Sequence, residues 1–366
     1  MNDRIPFGRF FLPGPTEVPF DLFEAMLRPV AGHRSAEVTK VVAGLQVDAS
    51  RLFRTDRPVF LSTSSATGMM EAAITNLTRK RVLCLSCGSF SHRFFDIARA
   101  TGRAADLLEA DWGEPNLPET LRERLAADPG RYDLVTVVHS ESSTGVLNPI
   151  MDLAAVVNEF EDVLIAVDTV SSLSGAPVLT DEWGLDFVLT GSQKALALPP
   201  GLALAVASER ALERAAEVEN RGFYFDLLKF EKNIEKSQTP NTPAVLLLFA
   251  LERQLARIMA EGLEARCVRH EEMAQRTCGW VDEVSVRTGK PYRVFAPEGY
   301  RSPCVTVIML PDELSGSEVV ARVKSHGYTI AAGYGRLKES SFRIGHMGEH
   351  TIDDLEALLA ILDEVL

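Results

Sequence analysis

From about position 58 the chain alternates short apolar runs with stretches whose apolar residues recur at helical spacing. The runs at 58–62 (PVFLS), 82–86 (VLCLS), 133–139 (DLVTVVH), 163–168 (VLIAVD), 186–191 (DFVLTG) and 202–208 (LALAVAS) read as strands. Between several of them, TGMMEAAITNL at 67–77 and MDLAAVVNEFE at 151–161 read as helices. Strands this uniformly apolar need cover on both faces, which predicts an α/β fold with a mainly parallel sheet. In such sheets ligands bind beyond the carboxyl ends of the strands, so the polar residues that follow these runs are where chemistry is expected.

A long helical pattern, PNTPAVLLLFALERQLARIMAEGLEARCVRHEEMAQR at 240–276, precedes a change of character. CVTVIML, a helix from SGSEVVARVKSHG, the strand SFRIG and a last helix then predict a smaller α+β domain. Thr351 reads as the N-cap of that last helix, with Asp353 and Asp354 in its first turn. The expected division is an N-terminal segment 1–15, a large domain 16–262 and a small C-terminal domain 263–366. The chain shows no internal repeat and no low-complexity linker.

With 366 residues, 46% of them hydrophobic, the chain can bury a sizeable core. A net charge of -13 repels phosphate on average, which argues against nucleic acid or an anionic membrane as partner while allowing a local basic pocket. MNDRIPFGRFFLPGP lacks the apolar core of a signal peptide, and Pro199, Pro200 and Gly201 break the most apolar stretch. A cytoplasmic protein is expected. Five cysteines, an odd count, suggest no disulfide framework. Cys84 and Cys87 form a C-x-x-C, but a separation of three in a strand-like run puts the side chains on opposite faces. His346 and His350 have no third ligand spaced to join them, so no metal site is expected.

Three strand ends carry an informative set. STSSATGMMEAA is a small-residue loop entering a helix, whose exposed N–H groups at Ser65, Ala66 and Thr67 suit a phosphate dianion. Taken alone, such turns usually just cap helices. In VLIAVDTVSS, Asp168 ends an apolar strand and must meet a cation or several donors to offset its desolvation. Alone it would read as a cap or an ion pair. In VLTGSQKALALPPG, Lys194 follows a strand directly and precedes an apolar loop with few anionic partners. Alone it would read as a surface lysine. Together they match the needs of pyridoxal phosphate, a lysine for a Schiff base and an acid that keeps the pyridine nitrogen protonated.

Across essentially its whole length the sequence resembles the class V aminotransferases of the pyridoxal-phosphate fold-type I superfamily. It looks most like the alanine/serine–glyoxylate and serine–pyruvate branch. The resemblance implies a large domain with a mainly parallel seven-stranded sheet, a smaller α+β domain, and a homodimer with shared active sites. FLPGPTEVP resembles the family's opening segment near the active site, and CGSFSHR the segment whose aromatic ring, here Phe90, stacks on the cofactor. HSESSTGVLNP points to Ser142 near the cofactor's phenolic oxygen, and VDTVSSLSG to Asp168 with Val170 against the other ring face. GSQKALALPPG carries Lys194, with Gln193 on the phosphate, and TPNTP places Asn241 and Thr242 on the phosphate of the partner subunit. FRIGHMG carries Arg343, which would grip the substrate carboxylate as a bidentate pair.

The implied reaction moves an amino group between serine or alanine and glyoxylate or pyruvate. AGHRSAEV also resembles an element of phosphoserine aminotransferases, where His33 and Arg34 would bind a second anion. A cysteine desulfurase is a more distant reading, since Gln193 precedes the lysine, Phe90 holds the ring position and Cys304 starts a strand-like run. A catalytically silent binding protein on the same fold is the reading from a different class, and the joint presence of lysine, aspartate and arginine speaks against it.

Overall fold

The computed structural model describes residues 9–366; of the expected N-terminal segment, residues 1–8 lie outside the described residues. Seven strands form the main sheet: β1 (Phe60–Ser62), β2 (Val82–Ser86), β3 (Ala105–Glu109), β4 (Leu134–Val138), β5 (Leu164–Asp168), β6 (Phe187–Gly191) and β7 (Ala203–Ala207). Their spatial order is β1-β7-β6-β5-β4-β2-β3. Every pairing from β6 through β3 is parallel, and β7 runs antiparallel to both β1 and β6. Every residue of β2, β4, β5, β6 and β7 is buried, as their unbroken apolar character requires.

The strand that the apolar pattern does not reveal is β3, and its position explains why. It is an edge of the sheet, half-buried up to an exposed Glu109, and its sequence ADLLE mixes charge into the run. Asp106 accepts from Arg81, Arg131 and Tyr132 along this edge, an arrangement that keeps an open edge from pairing with another chain.

Helices α1 (Ala36–Phe53), α2 (Ala66–Leu77), α3 (Ser89–Ala100), α4 (Ile150–Val157) and α5 (Val245–Glu261) contribute their buried faces to one apolar cluster with this sheet. The 240–276 pattern is not one helix. It breaks at Gly262, whose φ of +88° favours glycine, before α6 (Leu263–Thr288) begins.

From α6 onward the chain builds a second apolar cluster. It joins Trp280 and Val281 of α6, Val319 of α7 (Gly316–Ser325) and Leu355 of α8 (Ile352–Val365) to a small antiparallel sheet. That sheet has the order β8-β9-β11-β10, with β8 (Arg293–Val294), β9 (Val305–Met309), β10 (Ala331–Ala332) and β11 (Ser341–Gly345). Phe11, from the N-terminal segment, packs in this second cluster and stacks on His350 at 4.1 Å between ring centroids. Thr351 caps α8 in a capping box with Asp354.

The residues that tempted a metal reading are structural. His346 Nε2 meets Thr306 Oγ1 at 2.8 Å, His350 Nε2 meets the Phe10 carbonyl at 2.7 Å, and burial pushes both imidazoles down to about 4. Cys84 and Cys87 are fully buried, which pushes both thiols up to about 12.

Candidate active site

Each parallel strand delivers a polar turn at its carboxyl end, and these turns converge. After β1 the loop enters α2 at Ser65, Ala66 and Thr67. After β2 it enters α3 with Phe90, and after β4 it passes Ser142. Asp168 closes β5, with Val170 two residues on, and Gln193 and Lys194 follow β6. All nine of these residues line a single cavity of about 90 Å³, together with Met70, Arg93, Val138, Ser140 and Ser171. A roomier cleft of about 540 Å³ lies beside β3, lined by Glu109, Asp111, Glu114 and Glu298. It holds none of the expected residues, so size alone would have pointed to the wrong place.

The chemistry of the smaller cavity follows from burial. Asp168 is 6% exposed, and among the described residues its carboxylate accepts one hydrogen bond, from Val170 N at 2.7 Å. Burial raises its pKa to about 6. A carboxylate so poorly supplied with donors suits a cationic N–H, such as a protonated pyridine nitrogen. Burial, then the positive charge of Arg343, lower Lys194 to about 8, which makes a neutral amine accessible near physiological pH. Ser65 is the N-cap of α2 yet makes no side-chain capping bond, so the first helical turn opens on the cavity. The donor set therefore fits pyridoxal phosphate: an acid for the ring nitrogen, an amine for the aldehyde and a helix end for the phosphate.

Arg343, on β11, lies outside the cavity lining but beside it. Its Nη1 donates to the Ser142 carbonyl at 3.1 Å and its Nε to the Ala332 carbonyl at 3.0 Å. Tyr334 lies against it, 5.4 Å from guanidinium carbon to ring centroid, and reaches the Phe90 ring at 5.2 Å. Among the described residues Arg343 has no carboxylate partner. Burial lowers its pKa to about 10, so it remains a cation at neutral pH.

Besides Arg343, four expected residues are not in this cavity. Asn241 and Thr242 line a separate small pocket with Thr63 and Tyr224, and Thr242 is exposed. The turn at His33 and Arg34 does not face the cavity of its own chain; Arg34 lies on the surface and donates to Gln238. Within one chain Arg34 is engaged by Gln238, at the start of the segment that leads to 239–242, and not by the cavity.

Two contributions go beyond a reading of the motifs: one residue not singled out, and the contact made by the opening segment FLPGPTEVP. Glu141, fully buried, accepts from the backbone N–H groups of Phe90 and Ser91 and from the Ser91 and Ser143 hydroxyls. It caps α3 and fixes the turn that carries Phe90. Its only signal was an acid inside HSESSTG. The Pro13 carbonyl accepts from Lys194 Nζ, and a Cβ on Gly14 would lie 2.3 Å from Lys194 Cδ. Gly14, at φ +119°, is therefore a place where only glycine lets the opening segment cover the lysine.

Comparison with known proteins agrees with this geometry. The chain matches the family profile described as aminotransferase class-V over residues 27–300. It is 38% identical to an aminotransferase of Methanocaldococcus jannaschii, over 97% of this chain and 91% of the relative. It is 32% identical to the serine–glyoxylate aminotransferase of Arabidopsis thaliana, over 95% of this chain and 87% of the relative. Among solved structures it superimposes on an alanine–glyoxylate aminotransferase of Nostoc sp. with a TM-score of 0.91 and 27% identity, covering 100% of this chain and 97% of that one. Among the described residues no helix is long and apolar enough to cross a membrane. The chain belongs to the class-V aminotransferases and is a pyridoxal-phosphate-dependent enzyme.

Proposed function

We propose that this enzyme moves the amino group of a small donor, serine or alanine, to a small 2-oxo acid, glyoxylate or pyruvate. The observation that carries this reading is Arg343, a buried cation with no carboxylate partner among the described residues, held by two backbone carbonyls beside Lys194. A second anion-binding cation of the phosphoserine kind would be Arg34, and in its own chain Arg34 is engaged by Gln238 on the surface. The glyoxylate-using relatives support the same substrate class.

In this reading Arg343 grips the donor's carboxylate with its planar fork and orients the Cα–H bond. Lys194 is the covalent anchor of the cofactor. Its amine, when free, would take the donor's Cα proton, a role its lowered pKa suits. Asp168 would keep the pyridine nitrogen protonated, and Phe90, Val170 and Ser142, which line the same cavity, would contact the rest of the ring. Bound pyridoxal phosphate supplies the electron sink for the breaking Cα–H bond. Ser65, Ala66, Thr67 and Gln193 hold its phosphate, joined by Asn241 and Thr242 of the partner subunit.

The partner's contribution makes the enzyme a homodimer with shared active sites. Asn241 and Thr242 line a small pocket of their own and Arg34 is engaged by Gln238, so none of the three lines the cavity of its own chain, which supports a role across an interface. Sedimentation at micromolar concentration should give a dimer, and a fully active monomer would end the shared-site picture. The large and small units divide at Gly262, with the described part of the N-terminal segment packed on the small one. We place the enzyme in the cytoplasm, where its five unpaired thiols are at home.

Half-reactions test the substrate class. Serine or alanine alone, with no acceptor present, should bleach the yellow holoenzyme. A strong preference for phosphoserine that collapses in Arg34→Ala would overturn the small-donor reading.

A further inference from the structure

The cavity walls carry three charged side chains: Asp168, Lys194 and Arg93. The first two have partners in the proposed chemistry, the ring nitrogen and the aldehyde carbon, and Arg343 outside the lining is taken by the substrate. The cofactor has one further charged group, a phosphate that carries roughly -1.5 to -2 at neutral pH. The end of α2 offers only about half a positive charge, and hydroxyls and an amide such as Gln193 add none. More than one negative charge is left uncompensated in a cavity largely withdrawn from water.

Arg93 is the cation left over. It stands one helical turn beyond Phe90 on α3, and its Nη1 reaches Thr67 Oγ1, in the first turn of α2, at 3.4 Å. Its guanidinium carbon lies 4.9 Å from the Phe90 ring centroid, a cation–π contact that fixes the side chain against the cavity wall. Among the described residues it enters no ion pair, although acids are plentiful in a chain of net charge -13. A half-buried arginine with its fork at the helix end and no salt-bridged acid, with Asp168 the only acid lining its cavity, is a site for an anion.

We infer that Arg93 binds the cofactor phosphate, pairing with the dianion at the N-terminus of α2. It thereby anchors the phosphate to the same helix that carries the stacking ring. Phe90 would contact the ring and Arg93 the phosphate of the same ligand, so one helix, α3, would contribute to both parts of its binding. This rests on the assignment of Lys194 and Asp168 to the cofactor, and it gives a role to the last residue of CGSFSHR, the segment that carries Phe90.

The test compares binding of pyridoxal phosphate and of pyridoxal, which lacks the phosphate, to cofactor-free wild type, Arg93→Lys and Arg93→Met. Equilibrium binding, followed by absorbance, is the readout. Losing a charge-assisted pair should weaken pyridoxal phosphate in Arg93→Met by roughly ten- to a hundred-fold. Arg93→Lys should fall between, and pyridoxal should bind all three proteins alike. Unchanged pyridoxal binding also shows that the variant site is folded. An unchanged dissociation constant for pyridoxal phosphate in Arg93→Met overturns the inference. So does an equal loss for both compounds, which would make Arg93 a support for Phe90 alone. If pyridoxal phosphate binds as before while KM rises only for dicarboxylic substrates, Arg93 reads a substrate carboxylate instead and the inference is again wrong. Wild type that binds cofactor but attaches it elsewhere than Lys194 would instead remove the assignment beneath it.

Discussion

Replacing Lys194 with alanine is expected to abolish amino-group transfer, lowering the half-reaction rate by about four orders of magnitude. The enzyme loses both its covalent anchor and the base for the Cα proton. The fold should survive, because Lys194 stands in a loop after β6 with its amine toward the Pro13 carbonyl and the cavity, and its loss opens no hole in the apolar core. Bound cofactor should persist through the phosphate contacts and Asp168, without covalent attachment. Stopped-flow absorbance with a competent donor reads the rate, and circular dichroism checks the fold. A folded variant reacting at a rate comparable to wild type would remove Lys194 from the chemistry.

Asp168→Asn is expected to cost roughly two to three orders of magnitude in the same half-reaction. The substitution keeps the shape but removes a buried charge whose partner would be the ring nitrogen, an interaction worth about 3–5 kcal/mol when one side is deleted. Without the carboxylate that nitrogen loses its proton more readily, and the Cα–H bond breaks with nowhere to send its electrons. Full rates in Asp168→Asn would reduce Asp168 to the structural cap that its bond from Val170 N alone would suggest.

Much of this site was legible in the sequence because parallel sheets place chemistry at predictable positions. Asp168, Lys194 and the Ser65–Thr67 turn each follow an apolar run, and runs of that kind end at one edge of the sheet. What stayed hidden was of two sorts. β3 was invisible because an edge strand faces water and carries charge, so its pattern resembles a loop. Glu141 was hidden, and so was what the Pro13–Gly14 turn of the opening segment touches, because both depend on partners far along the chain, Phe90 in one case and Lys194 in the other. The division of the 240–276 pattern turned on a single residue, Gly262, which helical periodicity tolerates and backbone geometry does not. His33 and Arg34 show the limit of motif transfer within one chain: the motif is present, but neither residue lines the cavity and Arg34 is engaged by Gln238.

The central claim is that Lys194 carries the cofactor opposite Asp168. Borohydride reduction of the holoenzyme, followed by proteolysis and mass spectrometry of the modified peptide, tests it directly. The reduced cofactor should be found on the peptide containing GSQKALALPPG, at Lys194, and on no other lysine in stoichiometric amount. Cofactor trapped on a different lysine, with Lys194 unmodified, would contradict the account.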